Sequence, residues 1–354
     1  MENELLKNLL KLDALTLSEF KNYLNHHIIE ICSTHGTNSK IIQDYSTNEK
    51  VCLKCNCKLH KNGHTKNGVQ KYICPICGDT SSETTGTITY CSKLPFEIWK
   101  NVIDNLIDGL SIRRIAQKNK ITIQTSFSLR HKILLALKFF LSTITFSGDV
   151  QGDEKIFKIN LKGTKPANMP RLSKKRSSSG SVGISKHSIC VLTLKDDRDN
   201  LLLKIGGLSR VSNKMLEDNL NNKIEKNSTL TTDGASAYQK FCEGNKLIHI
   251  AIPSGCYTDG KGNNLADING IHSQLEIWMS KFHGVSTRHL QSYLDWFTYV
   301  FIMLKKFEHH KLEVQMCKDI ILDKNYINSL AIFKKEFPID LYEAYGEYHY
   351  GIYA

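Results

Sequence analysis

Cysteines and acids carry the chemistry-bearing patterns of this chain. Cys52 and Cys55, followed by Cys74 and Cys77, make the pattern C-x2-C-x18-C-x2-C. Each pair can present two thiolates from one tight turn, and two such turns close a tetrahedral site of four sulfurs. With every position taken by thiolate there is no place for an activated water, so the ion expected here is one structural Zn2+. Cys57, Cys91 and His60 lie nearby but off this register and are read as bystanders. The acidic set begins with Asp153, in a segment that reads as a strand over Gly152 to Ile159. Asp233 follows a second such segment, Ser228 to Thr232, and precedes Gly234. Both carboxylates would emerge at one edge of a sheet, within about 7 Å of each other, where their oxygens can share one or two divalent cations for in-line phosphoryl transfer. Taken singly, each is a turn or cap aspartate; their common placement is what points to a site.

A third contribution is expected from a helix over about Leu265 to Phe282. Asn269, His272 and Glu276 stand there at i, i+3 and i+7, spanning about 60° of arc beside the apolar stripe of Ile268, Ile271 and Leu275. The plainer reading of that edge makes Asn269 a local cap and Glu276 a solvated acid.

The elements that must hold these residues follow from periodicity and turn residues. Residues 50–92 are rich in Cys, Gly, Lys and Thr, with Asn62-Gly63 and Asn67-Gly68 as hairpin signals, as in a small domain whose core is replaced by a metal. From Pro95 three helices are expected, over Phe96 to Ile107, Ser111 to Lys118 and Thr122 to Phe140, with Gly109 at a joint and Ser111 and Thr122 as N-caps. This is a helix-turn-helix outline. Arg113, Arg114, Gln124, Thr125, Ser126, Arg130 and His131 are residue types that reach base edges and phosphates, and are expected to contact DNA; a plain helical hairpin with solvated charges is the alternative. Strands at Ser188 to Leu194, Leu201 to Ile205 and Leu247 to Ile250, and helices at Ser212 to Lys226 and Ala235 to Glu243, complete a mixed sheet.

The series Asp153-Glu154, Thr232-Asp233-Gly234 with Tyr238, Asn269-x-x-His272-Ser273 and Gly284-Val285-Ser286 with Leu290, Tyr293, Leu294 and Trp296-Phe297 resembles the transposases of insertion-sequence family fifteen-ninety-five, the ISXO-two-like group. The likeness runs from about Cys52 to Phe301 and includes the paired cysteines and Thr125 to Leu134. It implies an RNase-H-like fold, a catalytic Mg2+ or Mn2+, and DDE-type chemistry with Asp153 and Asp233 as the first two ligands. Relatives carry Asn and His at the positions of Asn269 and His272, or a glutamate in place of the latter, and usually a lysine where this chain has Glu276. On that basis Asn269 ranks first, His272 second and Glu276 third as contributors to the site.

Bulk properties agree. Lys and Arg outnumber Asp and Glu by 47 to 35, a formal charge of +12, which favours a polyanionic partner through phosphate neutralisation. The insertion from Asn160 to His187 carries Lys162, Lys165, Arg171, Lys174, Lys175, Arg176 and Lys186 with no acid, and is expected to fold against DNA. Neither a membrane span nor a signal peptide is legible, so a cytoplasmic, DNA-associated bacterial protein is expected.

The organisation expected is therefore a mixed α+β multidomain chain. It comprises a helical segment over 1–48, a zinc ribbon over 49–94, a helix-turn-helix over 95–146, an RNase-H-like catalytic domain over 147–308 and an extension over 309–354. The function expected is that of a DNA transposase, working as a homo-oligomer on double-stranded transposon ends and target. An RNase-H-like nuclease that cuts without joining, and a decayed or domesticated DNA-binding protein, are its rivals.

Overall fold

The computed structural model describes residues 51–164, 184–322, 332 and 335–345, apart from Leu53, Asn67, Glu83, Ser254 and Tyr257. The helices expected within 1–48 and most of the basic insertion lie outside these residues. The chain divides into two compact units, residues 1–97 and 98–354.

In the first unit, β1 (His60–His64), β2 (Gln70–Ile73) and β3 (Thr80–Ser82) form an antiparallel sheet in that order. Gly63 and Gly68 supply positive φ in and beside the first hairpin, a conformation that costs glycine little. Beyond Tyr72 and Ile88 these residues bury little apolar surface besides cysteine, so the cysteine loops must supply what a core would. The third strand was not expected from the sequence.

The second unit opens with α1, which begins at Phe96 and runs to Ile107, α2 (Ile112–Lys118) and α3 (Ile123–Ser142). Ser111 and Thr122 cap α2 and α3, their hydroxyls accepting from the backbone N–H of Arg114 and Thr125. The sheet follows: β4 (Asp149–Lys158), β5 (Ser188–Asp196), β6 (Leu201–Leu208), β7 (Thr229–Thr232) and β8 (Ile248–Ala251), in spatial order β6-β5-β4-β7-β8. The first three strands are antiparallel neighbours, and β7 and β8 run parallel to β4. That order and sense make an RNase-H-like sheet.

Alternation along the strands divides the residues between two faces. Val150, Leu192, Leu194 and Leu230 join Leu216 and Leu220 of α4 (Asn213–Leu220) and Tyr238 and Phe241 of α5 (Ser236–Asn245) in one core. Helix α4 stops short of the expected Lys226 because Asn222 turns with positive φ and Ile224 bridges to Phe146. The other face carries α6 (Ala266–Ser280) and α7 (Thr287–Lys306); α8 (His309–Leu322) and α9 (Leu341–Tyr345) follow. On α7, Gln291 Oε1 accepts from Ile205 N and its Nε2 donates to Leu203 O, so one side chain occupies backbone groups of the edge strand β6.

Helix α6 runs along β4 in step with it. Gln151 Oε1 accepts from Ile268 N, Asp153 faces His272, and Lys155 pairs with Glu276. Two residues of strand advance about 6.6 Å and four of helix about 6 Å, so same-face strand positions meet successive i+4 helix positions with little drift. No helix of the described residues is long and apolar enough to cross a membrane.

Candidate active site and metal centre

In the first unit each cysteine pair sits in a knuckle of the same construction. Cys52 N donates to Cys57 O and Asn56 N to Cys52 O; Cys74 N donates to Asp79 O and Gly78 N to Cys74 O. Asn56 and Gly78, each following its knuckle's second cysteine, have positive φ. The sulfurs converge: Cys52 to Cys77 is 3.6 Å, Cys55 to Cys74 3.2 Å and Cys55 to Cys77 3.7 Å. A tetrahedron of sulfurs about 2.3 Å from a central ion has edges of about 3.8 Å, so the donor set fits a four-thiolate ion. Backbone N–H donors within the knuckles draw the Cys52 thiol below its usual range and that of Cys74 down to about 5, while contacts with the neighbouring sulfurs push the thiols of Cys55 and Cys77 up to about 12. The ligand atoms of Cys52, Cys55, Cys74 and Cys77 all lie within 4.8 Å of one another, close enough to share one ion. Cys57, outside that group, lies close to it: its sulfur is 3.1 Å from Cys74 and 3.7 Å from Cys55, because the knuckle turns its chain back over the site.

In the second unit, the parallel ladder pairing Gln151 with Thr231 leads two residues on in both strands to Asp153 and Asp233. Gly152, between them and the core, leaves room for Leu230 and Leu194; an added Cβ would stand 3.1 and 3.3 Å from their methyls. Asp233 leaves β7 in a turn in which its Oδ1 accepts from Ala235 N and Gly234 takes positive φ. Burial pushes the Asp153 carboxyl up to about 6, with the charge of Asp233 adding to the rise.

His272 is the α6 residue in contact with this group. Its Nδ1 lies 3.6 Å from Asp153 Oδ2, and its Nε2 is 2.8 Å from the hydroxyl of Thr193, the residue opposite Asp153 on β5. Burial, with Lys155 nearby, lowers its pKa to about 4, so the ring is neutral at neutral pH and the 3.6 Å approach is no ion pair. Asn269, one turn nearer the helix start, is exposed and walls a cavity of about 460 Å³ with Ile252, Cys256 and Thr258. Glu276 is 63% exposed and held by Lys155 Nζ at 2.5 Å, which draws its pKa down.

Glu154, Tyr238 and Thr193 were given no role from sequence. Glu154 points to the other face of β4, where Tyr238 donates to its Oε2 at 3.2 Å. Burial and then the charges of Asp153 and Asp233 push its carboxyl up to about 7, so three acids sense one another through the sheet edge. The adjacency of Glu154 to Asp153 is the available signal, although strand alternation sets the two on opposite faces.

The residues expected to reach DNA separate. Arg113, Arg114 and Gln124 are exposed, and Thr125 bonds Thr122 at the helix start. Ser126, Arg130 and His131 are corrections, because all three are buried. Ser126 donates to Ile112 O across the α2–α3 turn. Arg130 donates to Leu110 O and to Tyr293 on α7, with Phe282 and Trp296 against its guanidinium. His131 stacks between Phe127 and His289. Lys162 is exposed and donates to Gly284 O, while Lys165, Arg171, Lys174, Lys175 and Arg176 lie outside the described residues.

Comparison with known proteins bears on the second unit. A family model described as the ISXO2-like transposase domain matches residues 145–301. A protein of the transposable element ISH50 of Halobacterium salinarum is 25% identical over 235 residues, 64% of this chain and 76% of that protein. Among solved structures, a pre-cleavage Mos1 transpososome matches with a TM-score of 0.20 at 12% identity, over 64% of this chain and 79% of that one. The Mos1 strand transfer complex matches with a TM-score of 0.22 at 14% identity, over 65% and 79%.

Proposed function

We propose that this chain, whose residues 145–301 form an ISXO2-like transposase domain, binds the terminal inverted repeats of an insertion sequence and cuts and joins their strands at Asp153, Asp233 and His272. The observation that carries the reading is the 3.6 Å approach of Asp153 Oδ2 and His272 Nδ1. In the tautomer in which Thr193 accepts from Nε2–H, Nδ1 presents a lone pair to the carboxylate, and two acceptors stand face to face across a gap too long for a hydrogen bond. Such a pair, with Asp233 beside it, suits a hard divalent cation, Mg2+ or Mn2+. When bound, the ion supplies Lewis-acid stabilisation of the phosphate and acidifies the attacking water or 3′ hydroxyl.

The protein's own groups position and neutralise. Asp153 and Asp233 would hold the cation at the strand ends, and Thr193, hydrogen-bonded to Nε2, orients the ring of His272, as outer-shell partners of ligating imidazoles do. Asn269 is assigned to orienting substrate from the wall of its cavity, and Glu276, neutralised by Lys155, to stabilising α6. Cys52, Cys55, Cys74 and Cys77 hold a structural zinc. Arg113, Arg114 and Gln124, on α2 and α3 as a helix-turn-helix, contact DNA, aided by Lys162 and the basic insertion.

The test is strand cleavage and joining by the full-length protein on duplexes carrying the inverted repeats that flank its gene. Asp153→Asn and Asp233→Asn should each lower cleavage by at least about a thousandfold while leaving duplex affinity within about twofold. Cleavage without joined product assigns a nuclease instead. Duplex binding with no metal-dependent cleavage by the unaltered protein assigns a DNA-binding protein, a reading the neutralised Glu276 favours.

A further inference from the structure

The first cysteine knuckle brings one sulfur more to the metal centre than a tetrahedral ion needs. Cys57 follows Cys55 by two residues, and its Sγ lies 3.1 Å from Cys74 and 3.7 Å from Cys55, which are themselves 3.2 Å apart. A four-thiolate tetrahedron has edges of about 3.8 Å, so these three sulfurs already have close to the dimensions of one of its faces. Cys77 lies 3.6 Å from Cys52 and 3.7 Å from Cys55.

The approach of Cys57 belongs to its side chain and not to the turn that carries it. Cys52 N donates to Cys57 O as Cys74 N donates to Asp79 O, so Cys57 and Asp79 hold equivalent positions in the two knuckles. Asp79 pairs with Lys54 Nζ at 3.0 Å, whereas Cys57 meets two of the ligands. The loop is held around it, because Asn56 takes positive φ and Val51 and Lys58 form an antiparallel bridge.

Exposure then separates the sulfurs. Cys52 and Cys74 are buried, Cys55 and Cys57 are half-buried, and Cys77 is exposed. Water and competing chelators reach Cys77 first, and the extra sulfur is better covered than that ligand. A cysteine that only filled space would act as a small apolar group, with no need to meet two ligands.

We propose that Cys57 is an alternate ligand of the ribbon ion: when Cys77 leaves the coordination sphere, Cys57 takes its place, and Cys52, Cys55, Cys57 and Cys74 hold the ion as four thiolates. The proposal rests on the zinc reading given above. Loss of the exposed thiolate then leaves the ion and its sulfur shell in place, and in a unit with so little apolar core that shell is what keeps the chain folded.

The experiment loads full-length protein with Co2+, which accepts the same kind of site as Zn2+, under reducing and oxygen-free conditions. Its absorption is the readout: charge-transfer intensity counts thiolates, and the d–d bands move to shorter wavelength when oxygen replaces sulfur. Cys77→Ser and Cys57→Ser should each keep the four-thiolate spectrum of the unaltered protein. The double variant should lose about a quarter of the charge-transfer intensity, one thiolate in four, with its d–d bands shifted to shorter wavelength. A three-thiolate spectrum in Cys77→Ser alone, a Cys77→Ser protein that takes up no cobalt, or a four-thiolate spectrum in the double variant overturns the proposal. Cys57→Ser retains Cys52, Cys55, Cys74 and Cys77 and tests the same point with that set intact. Transfer of Zn2+ from it to a chelator should be about tenfold faster than from the unaltered protein, because no sulfur recaptures the ion when Cys77 opens. Equal rates overturn the proposal. An unaltered protein that binds neither Co2+ nor Zn2+ overturns the zinc reading first, and the alternate ligand with it.

Discussion

Asp153 and Glu154 are neighbours on β4 that face opposite sides of the sheet, yet both carboxyls titrate high, at about 6 and about 7. Burial is the main cause for each, and the charge of Asp233 adds to both. A carboxyl whose folded pKa exceeds its unfolded value binds its proton more tightly in the fold, so it stabilises at low pH and loses that contribution as pH rises through the folded value. The metal-free protein should therefore melt at progressively lower temperature between about pH 5 and about pH 7.5, and Mn2+ should restore part of the loss at the upper end. Asp153→Asn should raise the metal-free melting temperature at pH 7.5 by about 2–4 °C while cleavage is lost. Cleavage in the unaltered protein at limiting metal should fall as pH drops below about 6, as protons compete with the cation for Asp153. Thermal melts across this range check the first two statements and a pH–rate profile the third; a melting temperature lowered by Asp153→Asn would contradict the assignment of the carboxylate as a strained group.

The register of α6 along β4 decides which of its polar residues faces Asp153. Gln151, Asp153 and Lys155 meet positions 268, 272 and 276, so under the proposed function the site falls to His272 and the ion pair to Glu276. An exposed pair contributes at most about 1 kcal/mol, so Glu276→Ala should cost that or less and leave cleavage within about threefold. His272→Ala should reduce cleavage about a hundredfold or more, because a neutral imidazole nitrogen facing Asp153 is gone. Denaturant melts and single-turnover cleavage of both variants check the pair, and a Glu276→Ala protein that no longer cuts would reverse the assignment. Most of these elements were legible in the sequence. The strand containing Asp153, the strand before Asp233 and the helix over Leu265 to Phe282 were placed within a few residues, because period-two and helical patterns with glycine breaks are local signals. Glu154 was not legible as part of the acidic group, since its coupling depends on burial under α5. Nor was the burial of Arg130, whose partner Tyr293 lies 163 residues away.

At the scale of the molecule, a formal charge of +12 is divided between cations that face solvent and cations built into the fold. Arg113 and Arg114 belong to the first kind and Arg130 to the second. Replacing Arg113 and Arg114 together by alanine should weaken duplex binding and flatten its dependence on log salt by about two, with stability unchanged. Arg130→Met should instead cost about 2–4 kcal/mol of stability, since Leu110 O and Tyr293 OH lose their partner. Salt titrations of affinity beside denaturant melts separate the two roles. The place of Arg130 in the packing has a consequence for where strands are cut. Through it, α3 is bolted to α7, and α7 lies against the same sheet that carries Asp153. Under the proposed function, the helix that reads sequence and the carboxylates that act on it are then parts of one jig. The number of base pairs from recognised bases to scissile phosphate is a length machined into the protein, one that loosening this joint would blur into a spread of cut positions.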